Sequence, residues 1–281
     1  MLASRAMLAT AVATPVVYTP LQAAVLGAVQ GLTELLPVSS SAHLYVIPTL
    51  LGWPYGGLAF DVALHGGTLL ALVVAFWSDW MTLLREAFSR EPEAAREARL
   101  LWAKLIVATV PAAIVGKLLG SAAEAHLRLL PLQAVMLFVF GLLLWLSDRF
   151  LAPGRETRTP SWAQAVGMGL AQCLALVPGV SRSGVTMTAG RVQALSRVSA
   201  ARFSFLLATP ITFGALLLEA REMPPGLPAS TLAIGVVTSA IFGVLAIRLL
   251  LGMLRRTGFG VFFAYRTVLA AGILLFWFAG R

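Results

Sequence analysis

Two titratable side chains, Glu34 and His43, interrupt an apolar stretch that otherwise has the composition of a membrane helix. The segment reads VQGLTELLPVSSSAHL over residues 29–44 and also contains a proline and three consecutive serines. A carboxylate and an imidazole in such a place can accept or carry a proton. Gln30 lies four residues before Glu34, so the two side chains are predicted to share one face of a helix.

The chain is predicted to turn after Pro37 and to begin a new helix. A hydroxyl of Ser39, Ser40 or Ser41 is suited to capping this helix, which carries His43 in its first turn. A free helix start presents unbonded N–H groups and the positive end of the helix dipole, and both favour an anion. The first break is therefore predicted to be an anion-binding segment.

A second segment, PGVSRSGVT over residues 178–186, repeats this plan. Pro178 and Gly179 break the helix, and Arg182 stands at the start of the next one. Hydroxyl groups that can cap the helix or contact an anion follow the break, at Ser181, Ser183 and Thr186. Two such helix starts facing each other, together with the arginine, would make an anion site suited to phosphate.

Structural roles compete with these functional ones. Ser and Thr in membrane helices commonly hydrogen-bond to neighbouring helices, so the hydroxyl residues taken singly indicate structure. A charge at the bilayer centre costs roughly 2.5–3.5 kcal/mol, so Glu34 and Arg182 together indicate function. Asp61 and His65 lie four residues apart at the start of a span, and their pairing is explained equally by an interfacial hydrogen bond.

The composition is that of a helical membrane protein. The 281 residues are 59% hydrophobic and 12% charged, with a mean hydropathy of +0.86. A soluble protein of this length carries far more charge, and the apolar periodicity is helical rather than that of a barrel. The formal net charge of +9 is explained by Lys and Arg in cytoplasmic loops, and no nucleic-acid partner is expected.

Six apolar segments are long enough to span a bilayer, at 58–78, 99–119, 131–148, 199–220, 229–252 and 261–280. Two further apolar stretches, 21–52 and 162–196, are broken near their centres by Pro, Gly and Ser. At an offset of 142 residues these two stretches match at seven positions, among them Ser39 with Ser181. Residues 1–19 are predicted to form a surface-lying or loosely ordered N-terminal extension.

The predicted fold is an all-α polytopic membrane protein of two inverted repeats, 20–148 and 149–281. Each repeat consists of a re-entrant helix pair and three transmembrane helices, which gives six spans and four re-entrant half-helices. If both broken pairs re-enter, 14 Lys and Arg residues fall on one side and 5 on the other, whereas crossing pairs would give 11 and 8. The larger asymmetry favours re-entry, with the basic side cytoplasmic and the two breaks meeting near the midplane.

The sequence around these residues closely resembles the bacterial undecaprenyl-diphosphate phosphatase family, which is linked to bacitracin resistance. LGAVQGLTELLPVSSSAHL resembles the first family signature, with Gln30 and Glu34 in its Glu/Gln-x-x-x-Glu motif, and PGVSRSGVT resembles the second. FDVALHGGTLLALVV (60–74), SRVSAARFSFLLATPITFGA (196–215) and the pair Tyr265-Arg266 also resemble family segments. The similarity runs from about residue 20 to the C-terminus.

This resemblance implies hydrolysis of undecaprenyl diphosphate to undecaprenyl phosphate and inorganic phosphate, which recycles the lipid carrier for peptidoglycan synthesis. It also implies a divalent cation, Mg²⁺ or Ca²⁺, and an active site that opens to the outer, periplasmic face of the bacterial cytoplasmic membrane. The family's essential acidic, histidine, serine and arginine positions correspond to Glu34, His43, Ser40 and Arg182.

These assignments suggest a mechanism. Arg182 is expected to bind the diphosphate, and Glu34, helped by Gln30, is expected to hold the cation. The residues expected to add hydrogen bonds to the substrate are Gln30, Ser39, Ser41, Ser181, Ser183 and Thr186. Either Ser40 activated by His43 is the nucleophile, or His43 activates a water molecule directly.

A transporter is the competing class, because inverted repeats with broken helices are also a transporter's architecture. Such a protein would bind polyprenyl phosphate at the same midplane site and flip it without cleavage. Glu34 and His43 correspond to Leu176 and Val185 in the 142-residue register, so acid–base groups occupy only one repeat, which favours an enzyme. A homodimer is compatible with the sequence, which does not fix the oligomeric state.

Overall fold

The computed structural model describes residues 18–56, 58–152, 154–219 and 228–279, and within these ranges the chain is helical, without strands. The helices are α1 Pro20–Leu35, α2 Ser40–Leu50, α3 Leu58–Ala75, α4 Trp77–Ala87, α5 Pro92–Leu127, α6 Leu130–Arg149, α7 Trp162–Gln172, α8 Arg182–Val192, α9 Arg197–Glu219, α10 Ala229–Leu254 and α11 Gly260–Ala279. A 3₁₀ turn, Cys173–Leu176, follows α7. The predicted extension 1–19 lies outside the described residues except for Tyr18 and Thr19.

Among the described residues, five helices are long and apolar enough to cross a membrane, namely α5, α6, α9, α10 and α11. A sixth candidate combines α3 with α4, which is bent by 65° relative to α3. The bend falls where the sequence changes from apolar to charged, since α4 contains Asp79, Arg85 and Glu86. The chain is thus an all-helical, multi-pass membrane protein, as its composition predicts.

The two predicted helix breaks are present. Helix α1 ends at Leu35 because Pro37 forces the preceding residue, Leu36, into an extended conformation (φ −73°, ψ 148°). Helices α2 and α8 each begin directly after a serine in the left-handed region, Ser39 at φ 72° and Ser181 at φ 73°. These serines correspond in the 142-residue register, so the two breaks share an unusual backbone conformation as well as a sequence pattern.

The caps of the two new helices differ from each other. The Ser181 hydroxyl accepts the Gly184 N–H at 3.2 Å, as predicted. The Ser39 side chain makes no capping bond and instead contacts the Ser41 hydroxyl at 3.2 Å. The prediction of a serine cap is therefore correct for α8, and at Ser39 it is wrong.

The two broken segments pack on helices of the opposite half of the chain. Helix α1 lies along α10, where Gly27 and Gly31 bring the two backbones into direct contact, so a side chain at either position would collide with α10. Helix α7 packs on α5 in the same way, with Gly169 against Ala108. The main apolar core lies among α3, α5, α9 and α10, and this frame holds the two breaks together.

Candidate functional site

The carboxylate of Glu34 lies at the centre of a buried polar cluster and is only one-tenth exposed. Its Oε1 accepts a hydrogen bond from Arg182 Nη2 at 2.7 Å. Its Oε2 accepts from the Ser40 hydroxyl at 2.5 Å and lies 3.3 Å from His65 Nε2. The predicted proximity of Gln30 is confirmed, with its Nε2 at 3.4 Å. The Glu34 carboxylate is thus contacted by side chains from four helices, α1, α2, α3 and α8.

The two breaks contact each other. Ser40 and Arg182, the first residues of α2 and α8, both bond to Glu34, so both helix starts lie at the same cluster. The hydroxyl of Ser183 donates to the Leu36 carbonyl at 3.0 Å and joins the second break to the first. This arrangement concentrates two helix dipoles and a guanidinium around one place, which suits a multiply charged anion.

A second arginine, Arg266 of α11, holds the two helix breaks in this arrangement. Its side chain is fully buried, and its Nη groups donate to Pro37 O at 3.2 Å in the first break and to Gly179 O at 2.9 Å and Val180 O at 3.1 Å in the second. Its Nε donates to Leu137 O of α6 at 2.8 Å. The planar fork of a guanidinium can satisfy several carbonyls at once. Arg266 therefore ties both breaks to α6.

His43 lies in the first turn of α2, as predicted, and its ring bonds to groups other than the Ser40 hydroxyl. Its Nδ1 lies 2.7 Å from Ser39 O and its Nε2 lies 2.7 Å from Tyr265 Oη. Because a carbonyl only accepts, Nδ1 carries the proton, and Nε2 accepts from the tyrosine hydroxyl. Both nitrogens are thereby occupied, so the expected activation of Ser40 by His43 is not the arrangement present here. The hydroxyl of Ser40 donates to Glu34 instead.

His65 is the histidine that reaches Glu34, and it also pairs with Asp61, as the spacing predicts, through the backbone carbonyl of that residue. His65 Nδ1 bonds to the backbone carbonyl of Asp61 at 2.7 Å, which directs Nε2 toward Glu34. The carboxylate of Asp61 instead accepts from the Tyr55 hydroxyl at 2.7 Å and lies 3.6 Å from Arg128. Asp61 thus supports the site through its backbone, and its side chain belongs to a neighbouring cluster.

The remaining hydroxyl residues of the second break have partners within the protein. Ser181 caps α8, and Thr186 is fully buried, with its hydroxyl bonded to Arg182 O at 2.8 Å and to Ser204 Oγ at 2.7 Å. These bonds, with that of Ser183 to the first break, hold the segment in shape. Arg182 is the residue of this segment that reaches the Glu34 carboxylate.

Sequence reasoning gave no role to His65, Tyr265 or Arg266. A signal for Arg266 exists, because an arginine in the middle of an apolar span is costly and marks a defined partner. The signal for His65 is that this histidine lies inside the apolar helix α3, one turn after Asp61. Nothing local points to Tyr265, since it becomes notable only through its bond to His43.

The described residues contain no group of three or more His, Cys, Asp or Glu side chains that could hold a metal ion alone. The side-chain amide of Gln30 nevertheless lies beside the Glu34 carboxylate, with Nε2 as the nearer atom, 3.4 Å from Oε2. The Gln30 Oε1 atom is buried and lacks a hydrogen-bond partner. Mg²⁺ is commonly held by one or two protein oxygens together with substrate phosphates, and this donor set fits that mode of binding.

The apolar helices make the chain a polytopic membrane protein. The ion pair between the two helix breaks gives this protein an internal polar site. The chain belongs to the family described as bacitracin resistance protein BacA, which matches residues 23–272. Similar proteins named undecaprenyl-diphosphatase occur in Pelotomaculum thermopropionicum, at 46% identity over 92% of this chain and 96% of that protein, and in Geobacter metallireducens, at 48% identity over 92% and 98%. The resemblance inferred from the two signatures is thereby confirmed.

Proposed function

We propose that this protein hydrolyses undecaprenyl diphosphate to undecaprenyl phosphate and inorganic phosphate. Relatives at 46–48% identity over most of the chain carry that activity in their names. The observation that carries the proposal is the Glu34–Arg182 pair, at 2.7 Å, where the starts of α2 and α8 meet. An anion bound at this site would contact a guanidinium and the positive ends of two helix dipoles. A nucleophile at the same site would have a carboxylate as its base.

Arg182 binds the diphosphate in this proposal, because a guanidinium fork matches phosphate oxygens in pairs. Backbone N–H groups at the starts of α2 and α8 contribute further hydrogen bonds. The hydroxyls of Ser39 and Ser41, and the Gln30 amide, complete the binding surface on the first break. Ser181, Ser183 and Thr186 shape the second break around Arg182 through the bonds described above.

Ser40 is the nucleophile that the geometry supports best. Its hydroxyl proton passes to Glu34, to which it already donates at 2.5 Å, while Oγ attacks the terminal phosphorus. The bond between that phosphorus and the bridging oxygen breaks, and undecaprenyl phosphate leaves with the bridging oxygen. Glu34 then returns this proton to Ser40 Oγ as water attacks the phosphoserine, the Glu34 carboxylate accepts a proton from that water and releases it to solvent, and phosphate carrying the water oxygen is released. His43 acts as a positioning residue, since it holds the carbonyl of Ser39 immediately before the nucleophile.

Glu34 and Gln30 would hold a divalent cation, Mg²⁺ or Ca²⁺, together with the diphosphate. A bound cation would neutralise charge on the phosphoryl group, which is the main requirement of phosphoryl transfer. His65 would keep the Glu34 carboxylate oriented toward Ser40. The fit rests on the unpartnered amide oxygen of Gln30 and on the hard oxygen donors that such cations prefer.

The proposed topology is two inverted repeats, 20–148 and 149–281, with re-entrant pairs at 21–52 and 162–196. The exchanged packing of α1 on α10 and of α7 on α5 supports this symmetry, as do the matched conformations of Ser39 and Ser181. The charge asymmetry supports an active site that opens toward the outer face of the bacterial cytoplasmic membrane. Hydrolysis there would recycle the carrier lipid for wall synthesis and would confer bacitracin resistance.

Phosphate release from undecaprenyl diphosphate by the purified protein, with and without a chelator, tests the proposal. Arg182→Ala and Glu34→Gln should each remove nearly all release, and chelation should abolish it in the parent protein. Arg96→Ala and Glu97→Gln, both on the exposed face of α5, are matched controls and should behave as the parent. Binding of the lipid without phosphate release, or full release by either site variant, would overturn the assignment.

A further inference from the structure

A second polar cluster, formed by Tyr55, Asp61 and Arg128, lies beside the site at the start of α3. The carboxylate of Asp61 accepts from the Tyr55 hydroxyl at 2.7 Å and lies 3.6 Å from Arg128 Nη2. The guanidinium of Arg128 also donates to the Tyr55 hydroxyl and lies over the Tyr55 ring, 5.0 Å from its centroid. Each of the three side chains thus contacts the other two, and those of Arg128 and Asp61 are only 19% and 10% exposed.

This cluster joins three parts of the chain. Tyr55 lies in the connection between α2 and α3, Asp61 lies in the first turn of α3, and Arg128 directly follows the last residue of α5. The first turn of a helix has N–H groups without intrahelical partners, and helix ends fray unless other contacts hold them. The cluster therefore holds the first turn of α3 against the end of α5.

The first turn of α3 is also the turn that orients His65. The Nδ1 atom of His65 bonds to the Asp61 carbonyl at 2.7 Å, and Nε2 lies 3.3 Å from Glu34 Oε2. Asp61 thus has two sets of partners, since its carbonyl bonds to the imidazole and its carboxylate to the cluster. A continuous series of contacts leads from Arg128 through Asp61 and His65 to the Glu34 carboxylate.

Helix α3 has little intrinsic rigidity next to His65. Gly66 and Gly67 follow directly, and glycine is among the poorest helix formers. The middle of α3 is fixed to α10, because Ser239 Oγ donates to the Leu64 carbonyl at 2.8 Å and Gly67 lies directly against the α10 backbone. Neither contact reaches the first turn, so the placement of its carbonyl groups depends on the cluster with Tyr55 and Arg128.

We propose that Arg128 is a positioning residue for the reaction and acts on Glu34 through Asp61 and His65. The inference rests on the proposed function, in which Glu34 is the base for Ser40, and it extends the support of the site to the connection between α5 and α6. Arginine suits this role because its planar guanidinium can bond to a hydroxyl, pair with a carboxylate and stack on a ring at the same time.

The kinetics of phosphate release from undecaprenyl diphosphate test this role. Arg128→Gln should lower kcat by about tenfold, as loss of a residue that orients a catalytic group commonly does, and should leave KM nearly unchanged. Arg149→Gln is the matched control, because Arg149 also lies over an aromatic ring, 5.8 Å from the Phe150 centroid, but stands at the other end of α6. Equal kinetics for the two variants, or a rise in KM alone, would overturn the inference.

A double-mutant cycle separates positioning from a general loss of stability. If Arg128 acts through His65, Arg128→Gln should change kcat little in protein that already carries His65→Ala, so the two losses should not combine. Arg128→Lys keeps the charge without the planar fork and should restore part of the lost kcat. Losses that multiply in the double variant would show that Arg128 does not act through His65.

Nitrogen NMR of His65 gives a measurement that does not depend on turnover. The parent and Arg149→Gln should both carry a proton on Nδ1, because the Asp61 carbonyl only accepts. In Arg128→Gln the Nδ1 signal should move toward that of a histidine in water. Tyr55→Phe, which removes one hydroxyl of the cluster and keeps the ring, should shift the same signal and serves where Arg128→Gln does not fold.

An unchanged His65 spectrum in a folded variant of the cluster would overturn the inference. The proposed function fails separately from it. If the parent protein releases no phosphate from undecaprenyl diphosphate while the His65 signal still responds to Arg128→Gln, the reaction assigned to the site is wrong and the link from Arg128 to His65 stands.

Discussion

Glu34 and Arg182 lie 148 residues apart in the chain and form a 2.7 Å ion pair where the two helix breaks meet. Each charge would be costly alone in this largely buried position, and the pair reduces that cost for both. The pair also leaves Glu34 able to accept from Ser40. This ion pair thus helps to join the two breaks and holds the Glu34 carboxylate beside the Ser40 hydroxyl.

Removing one partner of this pair should destabilise the protein more than removing both. Glu34→Gln leaves Arg182 without its carboxylate, which costs about 3–5 kcal/mol for a buried pair. Adding Arg182→Gln should recover part of that loss in thermal unfolding in detergent. Asp79→Asn, which breaks the more exposed Asp79–Arg202 pair, should cost about 1 kcal/mol or less. A double variant less stable than both single variants would contradict this account.

Loss of His65 should slow the reaction without weakening substrate binding. The imidazole lies 3.3 Å from Glu34 Oε2, so His65→Ala should lower kcat by about a hundredfold and leave KM nearly unchanged. His126→Ala, at the exposed end of α5, is the control and should have the kinetics of the parent. An increase in KM with unchanged kcat would assign His65 to binding rather than to orientation of Glu34.

The bond between Tyr265 and His43 is expected to contribute modestly. Tyr265→Phe keeps the stacked ring, whose centroid lies 5.7 Å from that of His43, and removes one hydrogen bond worth about 0.5–1.5 kcal/mol. We expect a fall in kcat of about tenfold or less, and a larger loss in His43→Ala. Nitrogen NMR should still find the proton of His43 on Nδ1, because Ser39 O fixes it. A proton on Nε2 in the parent would refute the assigned tautomer.

Replacement of Arg266 should be poorly tolerated even by lysine. An ammonium group has three donors and lacks the planar fork, so carbonyls of both breaks and of α6 would lose their partner. Arg266→Lys should lower the free energy of unfolding by about 3 kcal/mol or more. Arg248→Lys, on an exposed part of α10, tests the same exchange where no such bonds exist and should have little effect. Equal stability of the two variants would contradict the proposed anchoring role.

A covalent phosphoserine should form at Ser40. Rapid acid quenching during turnover, followed by mass spectrometry, should detect phosphate on this residue, and phosphate released from chiral substrate should retain its configuration. Ser40→Ala should abolish turnover, whereas Ser41→Ala, one residue further into α2, should reduce it only several-fold, as loss of one hydrogen bond does. Inversion at phosphorus would exclude the serine route in favour of direct attack by water.

Much of the site could be predicted because its signals are local. Proline and glycine mark both breaks, Gln30 and Glu34 face the same way because they are four apart, and Arg182 stands out as a charge in an apolar stretch. The membrane class follows from composition, and five of the predicted spans fall on the long helices α5, α6, α9, α10 and α11. The span predicted at 58–78 instead crosses the bend between α3 and α4. Such features depend on the chain near each residue, so sequence alone suffices for them.

The partners of His43 and His65 could not be predicted in the same way. His43 bonds to Tyr265, which is 222 residues away, and His65 reaches Glu34 from another helix. Which helices become neighbours depends on side-chain packing over the whole molecule, and no local pattern specifies it. The pair Asp61–His65 shows the limit of spacing rules, because the hydrogen bond between them uses the backbone of Asp61 and leaves His65 Nε2 for Glu34. Residues four apart share a face, but either side chain can find a better partner across the helix interface.

The glycine contact between α1 and α10 has a consequence for how a lipid enters. Helices whose backbones touch cannot slide or separate without losing dense packing along their length, so the wall that carries Glu34 behaves as a rigid body. The contact between α2 and α11 differs, because the described residues join these helices by apolar packing of Ala42 and Val46 with Ala270 and Ile273 and by the hydrogen bond from Tyr265 to His43, without a glycine backbone contact. Admission of substrate should therefore displace α2 or α11 rather than α1 and leave the Glu34 carboxylate in place.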